Sequence, residues 1–154
     1  MSPTRKGKVQ TVLGTIDPSQ VGATTTHEHI IINFSMMLRP PPGNISREMC
    51  HESVTMENLG WIRQFCYSNL DNLLVLDETT ATEEARLYKS NGGGTIVDAT
   101  TIGIGRNPTA LTRISRESGV NIVMGAGYYV ESAQIDAVRN MDEQAIQENI
   151  IKEL

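Results

Sequence analysis

Cysteine is scarce in this sequence: Cys50 and Cys66 are the only two in 154 residues. Neither sits in a C-x-x-C pair. Two lone cysteines fit a reducing cytoplasm better than a disulfide framework. Long apolar runs are also missing, so no membrane span is expected. The start, Met1-Ser2-Pro3-Thr4-Arg5-Lys6, has no apolar region behind it, and no secretory signal is read there. Positive charge is in deficit, with 13 Lys and Arg against 18 Asp and Glu and a net charge of −5. A nucleic-acid backbone needs a basic face, so nucleic acid is excluded as the main partner. The one basic cluster, Arg5, Lys6 and Lys8, reads as a solvated terminus, with residues 1–6 flexible.

What is present is an ordinary globular composition, 39% apolar and 20% charged, with no long stretch that points to disorder. The length suits one domain. Residues 8–13 alternate weakly, Asp17-Pro18-Ser19 is a turn signal, and residues 21–29 run extended. Together they predict a short hairpin leading into a first strand. Residues 34–54, with Pro40-Pro41-Pro42-Gly43-Asn44, are irregular. Met56, Leu59, Ile62 and Cys66 recur at helical spacing and predict a helix over 55–70. A second helix is expected over 80–90, with Thr80 and Glu83 as a capping box and Asn91-Gly92 as its stop.

From there the pattern is regular. Gly94–Ala99 reads as a buried strand. Asn107-Pro108 opens a helix that runs to Gly119. Residues 121–125 form the next strand. A last helix opens near Asn140, its apolar face made of Ile146, Ile150 and Leu154. Strands alternating with helices imply parallel βαβ units. Three strands are few for a parallel sheet, which wants both faces covered. The last helix also stops in mid-pattern, so residues 7–154 are expected to be a truncated domain. Open strand edges should leave the isolated chain prone to aggregate or in need of a partner.

The chemistry sits in His27-Glu28-His29. Residues two apart on a strand share a face, so the two imidazoles converge while Glu28 points away. Such a pair can clasp a divalent ion at a strand end. By spacing alone it is more often the pattern of two surface histidines on an edge strand, and it supplies only two ligands. His51, the third histidine, follows the proline loop and reads as no ligand.

The run Thr26-His27-Glu28-His29-Ile30 follows Val12-Leu13-Gly14 and Gly22-Ala23-Thr24. It resembles the first strand of the phosphotriesterase family, within the amidohydrolase superfamily. Thr95-Ile96-Val97-Asp98-Ala99-Thr100-Thr101 with Ile104-Gly105-Arg106 is similar to that family's second strand and loop, and Gly119–Gly127 to its third. The resemblance implies the N-terminal portion of a (β/α)8 TIM barrel: about three βα units preceded by a short hairpin, with the active site at the C-terminal strand ends. It implies that His27 and His29 hold one ion of a two-ion site, zinc by expectation. The family's remaining ligands, on later strands, have no counterpart here. The implied activity is hydrolysis of a small-molecule substrate by a metal-bound hydroxide. For the animal branch the substrates are small N-acyl amides such as N-acetyltaurine or N-acetyl amino acids. No oligomeric state is implied.

Three further residues carry expectations. Asp98, an acid in an apolar strand, is either a structural carboxylate or a support for the histidines. Arg106 is either a contact for an anionic substrate or a structural arginine. Tyr129 matches a family position that lines the substrate pocket and is otherwise a packed tyrosine. Two other readings of the whole remain. One is a catalytically inactive fragment that at most binds metal or other chains. The other is a nucleotide-binding βαβ protein using Gly103 and Gly105, a motif that lacks its third glycine.

Overall fold

The structure, a computed structural model, describes residues 5–41, 43, 47–134 and 136–153. Residues 1–4 of the expected flexible terminus, Pro42, Asn44 and Leu154 lie outside the described residues. The centre of the fold is a three-stranded parallel sheet of β3 (Ala23–Glu28), β6 (Gly93–Asp98) and β7 (Asn121–Met124), in that spatial order. Helix α2 (Glu78–Ser90) connects β3 to β6, and α3 (Pro108–Ser118) connects β6 to β7. This is the expected alternation, and it forms part of a (β/α)8 barrel without closing one. Among the described residues β3 pairs only with β6, which leaves its other edge open.

The expected hairpin forms, but its turn lies earlier than Asp17-Pro18-Ser19. β1 (Val9–Thr11) pairs antiparallel with β2 (Gly14–Ile16) across Val12-Leu13. Gly14, at φ 119°, supplies the left-handed backbone that closes so tight a turn. Pro18–Gln20 is instead a one-turn 3-10 helix with Asp17 as its N-cap, whose N–H donates to Gln20 Oε1. The hairpin lies against β7, where Val12 N–H donates to the Ile122 carbonyl at 2.9 Å.

The core lies between the sheet and the two helices. Ile96 and Ile122 from the strands meet Ala81, Ala85, Ala110, Leu111 and Ile114 from the helices. Ala110 and Ile114 are wholly enclosed. Helix α3 begins and ends as its sequence predicts: Asn107 Oδ1 accepts from Ala110 N–H, and Gly119 closes the helix at φ 72°. Helix α2 begins at Glu78, two residues before the expected 80–90, and its cap lies three residues before Thr80. Asp77 is the true cap, accepting from the amides of Thr79 and Thr80 and from the Thr80 hydroxyl. A carboxylate outcompetes a hydroxyl for these amides because it brings a full charge to the positive end of the helix. These bonds hold the Asp77 carboxyl below its usual range, the Thr80 hydroxyl contributing most.

The segment between β3 and α2 departs from expectation. A helix over 55–70 shrinks to α1 (Leu59–Gln64). Of the four residues that suggested it, Ile62 is buried, while Met56 is 83% exposed and Cys66 is exposed. Asparagines break the helical run on both sides. Asn58 accepts from Thr55 N–H and donates to the Ser53 carbonyl. Asn69, fully buried, donates to the carbonyls of Met49 and Glu52 and accepts from Asn72 N–H. Short polar side chains that bond nearby backbone favour turns over helix. A two-stranded ribbon, β4 (Ile32–Asn33) with β5 (Leu74–Val75), brings the two ends of this segment together.

At the C-terminal end, α4 (Asp136–Arg139) was not foreseen, and α5 (Glu143–Glu153) opens on Asp142 rather than Asn140. Ile146 and Ile150 are half-buried on its inner face.

Candidate metal-binding half-site

His27 lies near the end of β3 and His29 just beyond it. Their rings stand edge to face with centroids 5.5 Å apart, so the two imidazoles do share one side of the strand. His27 is exposed and His29 half-buried. His29 Nδ1 lies 2.9 Å from Thr100 Oγ1, which occupies that nitrogen and leaves Nε2 open. Glu28 accepts from the Thr25 hydroxyl and, contrary to strict alternation, lines the same cavity as His29, where the register shifts between Thr25 and Glu28.

Asp98 organises this arrangement. It is wholly buried at the end of β6. One carboxylate oxygen accepts from Ile30 N–H, the other from Thr100 N–H, each at 2.9 Å. The contacts close a ring: Asp98 fixes the residue after His29 and the residue that bonds His29. A buried carboxylate needs such donors, and these two belong to the chain flanking the imidazole. Thr100 was missed in the sequence. Its signal was the Asp98-Ala99-Thr100 spacing, in which an acid accepts from the amide two residues on.

The donor set suits a divalent ion in part. Two imidazoles on one side of a strand end, one oriented by a hydroxyl on its far nitrogen, are zinc-type ligands. Among the described residues no group of three His, Cys, Asp or Glu side chains gathers to complete a shell. His51 stands apart, in the 3-10 turn region after the proline loop.

Arg106 does not face open solvent: its side chain is 7% exposed. Its guanidinium grips both oxygens of Glu153, at 2.9 and 2.7 Å, and donates to the Gly125 carbonyl at 3.0 Å. Glu153 also accepts from Gly127 N–H. The Arg106 guanidinium and the Gly127 amide hold the Glu153 carboxyl below its usual range, and the same pairing raises Arg106 further. The clamp therefore ties the loop after β7 to α5. Tyr129 is on that loop, 40% exposed, with its ring edge to face against Phe34 at 5.8 Å.

Gly103 and Gly105 serve loop packing. A Cβ on Gly103 would lie 2.0 Å from the Ala133 carbonyl oxygen. Gly105 has φ 89°, and a Cβ there would press on the backbone of Asn33. The loops after β3, β6 and β7 thus interlock at one end of the sheet, the end that carries His29 and Thr100. Cys50 is buried and Cys66 exposed, both unpaired. Among the described residues no helix is long and apolar enough to cross a membrane.

N-acetyltaurine hydrolase of Salmo salar is 45% identical over 150 residues, covering 96% of this chain and 42% of the relative. The Homo sapiens protein of that name is 41% identical over 149 residues, with the same shares. A resiniferatoxin-binding protein from Rhodobacter sphaeroides superposes with a TM-score of 0.94 at 35% identity, over 97% of this chain and 42% of that one. This chain therefore spans about 42% of the length of the curated relatives it matches. The model of the phosphotriesterase family matches residues 7–154. A match that runs from the first hairpin through the last helix makes this chain a member of the phosphotriesterase family.

Proposed function

We propose that this chain supplies the first-strand half of a divalent-metal site, zinc by donor type, in a hydrolase that cleaves small N-acyl amides. The observation that carries the reading is the ring of contacts from Asp98 through Thr100 to His29, beside His27. A ligand held from behind by a hydroxyl and a buried carboxylate is pre-oriented, which a surface histidine has no need of. A divalent ion bound there would polarise an amide carbonyl and lower the pKa of water. What the chain's own residues do is narrower. His27 and His29 present two nitrogens, Thr100 sets the His29 ring, Asp98 holds both strand ends, and Tyr129 offers an aromatic face at the mouth. The substrate class rests on the relatives named N-acetyltaurine hydrolase. Two unpaired cysteines fit a cytoplasmic setting.

A second reading has its own support. The described residues provide two imidazoles and no third ligand in reach. Tight catalytic sites use three protein ligands or more. On this reading the 154 residues hold metal weakly and turn nothing over. Purified chain should be assayed for bound zinc and for release of taurine from N-acetyltaurine with added Zn²⁺. Turnover and zinc both lost in His27→Ala and His29→Ala support the hydrolase. Zinc bound through these histidines without turnover supports the fragment. Zinc content unchanged in both variants would sink the site itself.

A further inference from the structure

The loops at the mouth carry an aromatic wall that the hydrolase reading does not use in full. Phe34, from the loop after β3, stands 5.8 Å from Tyr129 and 6.4 Å from Tyr67, centroid to centroid. These rings come from three separate stretches of chain. Tyr67 and Tyr129 are each 40% exposed. Large aromatic area left open, rather than turned into the core, is what a binding surface shows. At the outer end Arg39 lies over the Tyr67 ring, its Cζ 5.6 Å from the centroid. Its backbone N–H donates to the Tyr67 carbonyl at 2.8 Å, so loop and ring are tied together.

The charge of Arg39 is the informative part. Among the described residues it has no carboxylate within ion-pair distance, as is also true of Arg47, Arg63, Arg116 and Arg139, and what sets it apart from those four is the Tyr67 ring beneath it. In a chain with five net negative charges, an exposed guanidinium seated on the outer ring of this wall is a local point of positive charge. Stacking on a ring holds the planar fork in place while its N–H groups stay available. A fork of this kind pairs two oxygens of a sulfonate or carboxylate.

We propose that Arg39 on the Phe34–Tyr67–Tyr129 wall selects substrates with an anionic group beyond the acyl amide. The proposal rests on the N-acyl amide reading above for its substrate class, but binding alone tests it. Affinity of the zinc-supplemented chain should be measured by calorimetry for N-acetyltaurine, N-acetyl-β-alanine and the uncharged N-acetylethanolamine, with hydrolysis followed in the same samples. The anions should bind about tenfold more tightly than the neutral amide, the size expected of one charge-assisted pair. Arg39→Gln should erase that preference and Arg39→Lys retain part of it. Arg116→Gln, an exposed change on α3, should leave it intact. Equal binding of charged and neutral probes, no binding of either, or a preference that survives Arg39→Gln overturns the proposal. Hydrolysis without charge preference overturns this proposal alone. An Arg39-dependent preference without hydrolysis supports it and counts against the hydrolase.

Discussion

Residues 93–124 and the described part of residues 29–77 are held by different physics. The first is β6, α3 and β7, where the strands pair in register and apolar side chains pack against them. Among its described residues the second has one six-residue α-helix, two two-residue strands and single 3-10 turns, and asparagine and aspartate side chains that bond the backbone tie it together. The first region is rigid scaffold by construction, and the second carries the mouth of the site. His29 and Asp98 sit at the seam, one from each region. Packing thus sets where the strand ends are, and polar ties set where the loops go.

The largest effect is expected at that seam. Asp98→Ala strands the amides of Ile30 and Thr100, both bonded to a fully buried carboxylate. Losing two such bonds should cost about 4 kcal/mol. Urea unfolding measures it, and Asp98→Asn, which keeps an acceptor, should lose less. A cost below about 1 kcal/mol for Asp98→Ala would show that the two regions do not depend on this tie.

The next pair of variants sets the two regions directly against each other. Leu111 on α3 is 1% exposed, and Leu111→Ala should cost about 3 kcal/mol through lost burial and a residual cavity. Met56, which shares the apolar periodicity but is 83% exposed, should change stability by less than about 0.5 kcal/mol on Met56→Ala. Similar costs for both would mean that periodicity, not packing, holds the second region, and the comparison would fail.

Those two residues also mark what was legible in the sequence. Asn107-Pro108 and Gly119 bracket a helix because an N-cap, a proline at the first turn and a left-handed terminal glycine are local chemistry. Strands β6 and β7 showed as short apolar runs, β3 only as an extended stretch before the histidines, and their order follows from the alternation with helices. Met56, Leu59, Ile62 and Cys66 misled because spacing reports only which residues could share a face. Asn58 and Asn69 decide the outcome through bonds to carbonyls as far as twenty residues away, which no local pattern records. The histidine pair was visible as His-x-His. The Asp98-Ala99-Thr100 spacing signalled only the turn, and the bond of Thr100 to His29 across 71 residues became visible only in three dimensions. Arg106 shows the converse: its side chain is committed to Glu153 and Gly125, and nothing in the sequence joined positions 47 apart.

A smaller effect should be confined to the second region. Asn69→Ala removes two donations and one acceptance at a buried site, at a cost of about 2 kcal/mol. Because those ties are local, the loss should appear as faster amide exchange at Asn72, with exchange at Ile122 little changed. Equal acceleration at both positions would mean that 29–77 and 93–124 unfold as one unit.

The smallest effect depends on pH and belongs to the loop after β7. Arg106 first, then the Gly127 amide, hold the Glu153 carboxyl below its usual 4.5. A depressed folded pKa stabilises the fold above the unfolded value, and that contribution fades as pH falls through the folded one. Stability should therefore be level in this respect above about pH 5 and decline below pH 4.5. Glu153→Gln should lower stability by about 1 kcal/mol at pH 7 and flatten the acid limb, since the glutamine cannot titrate. The Asp77 cap of α2 shares the same sign, so the informative quantity is the difference between wild type and variant across pH 3–6. If the two curves stay parallel, the Arg106–Glu153 clamp adds nothing ionic, and the loop bearing Tyr129 is held by packing like the strand before it.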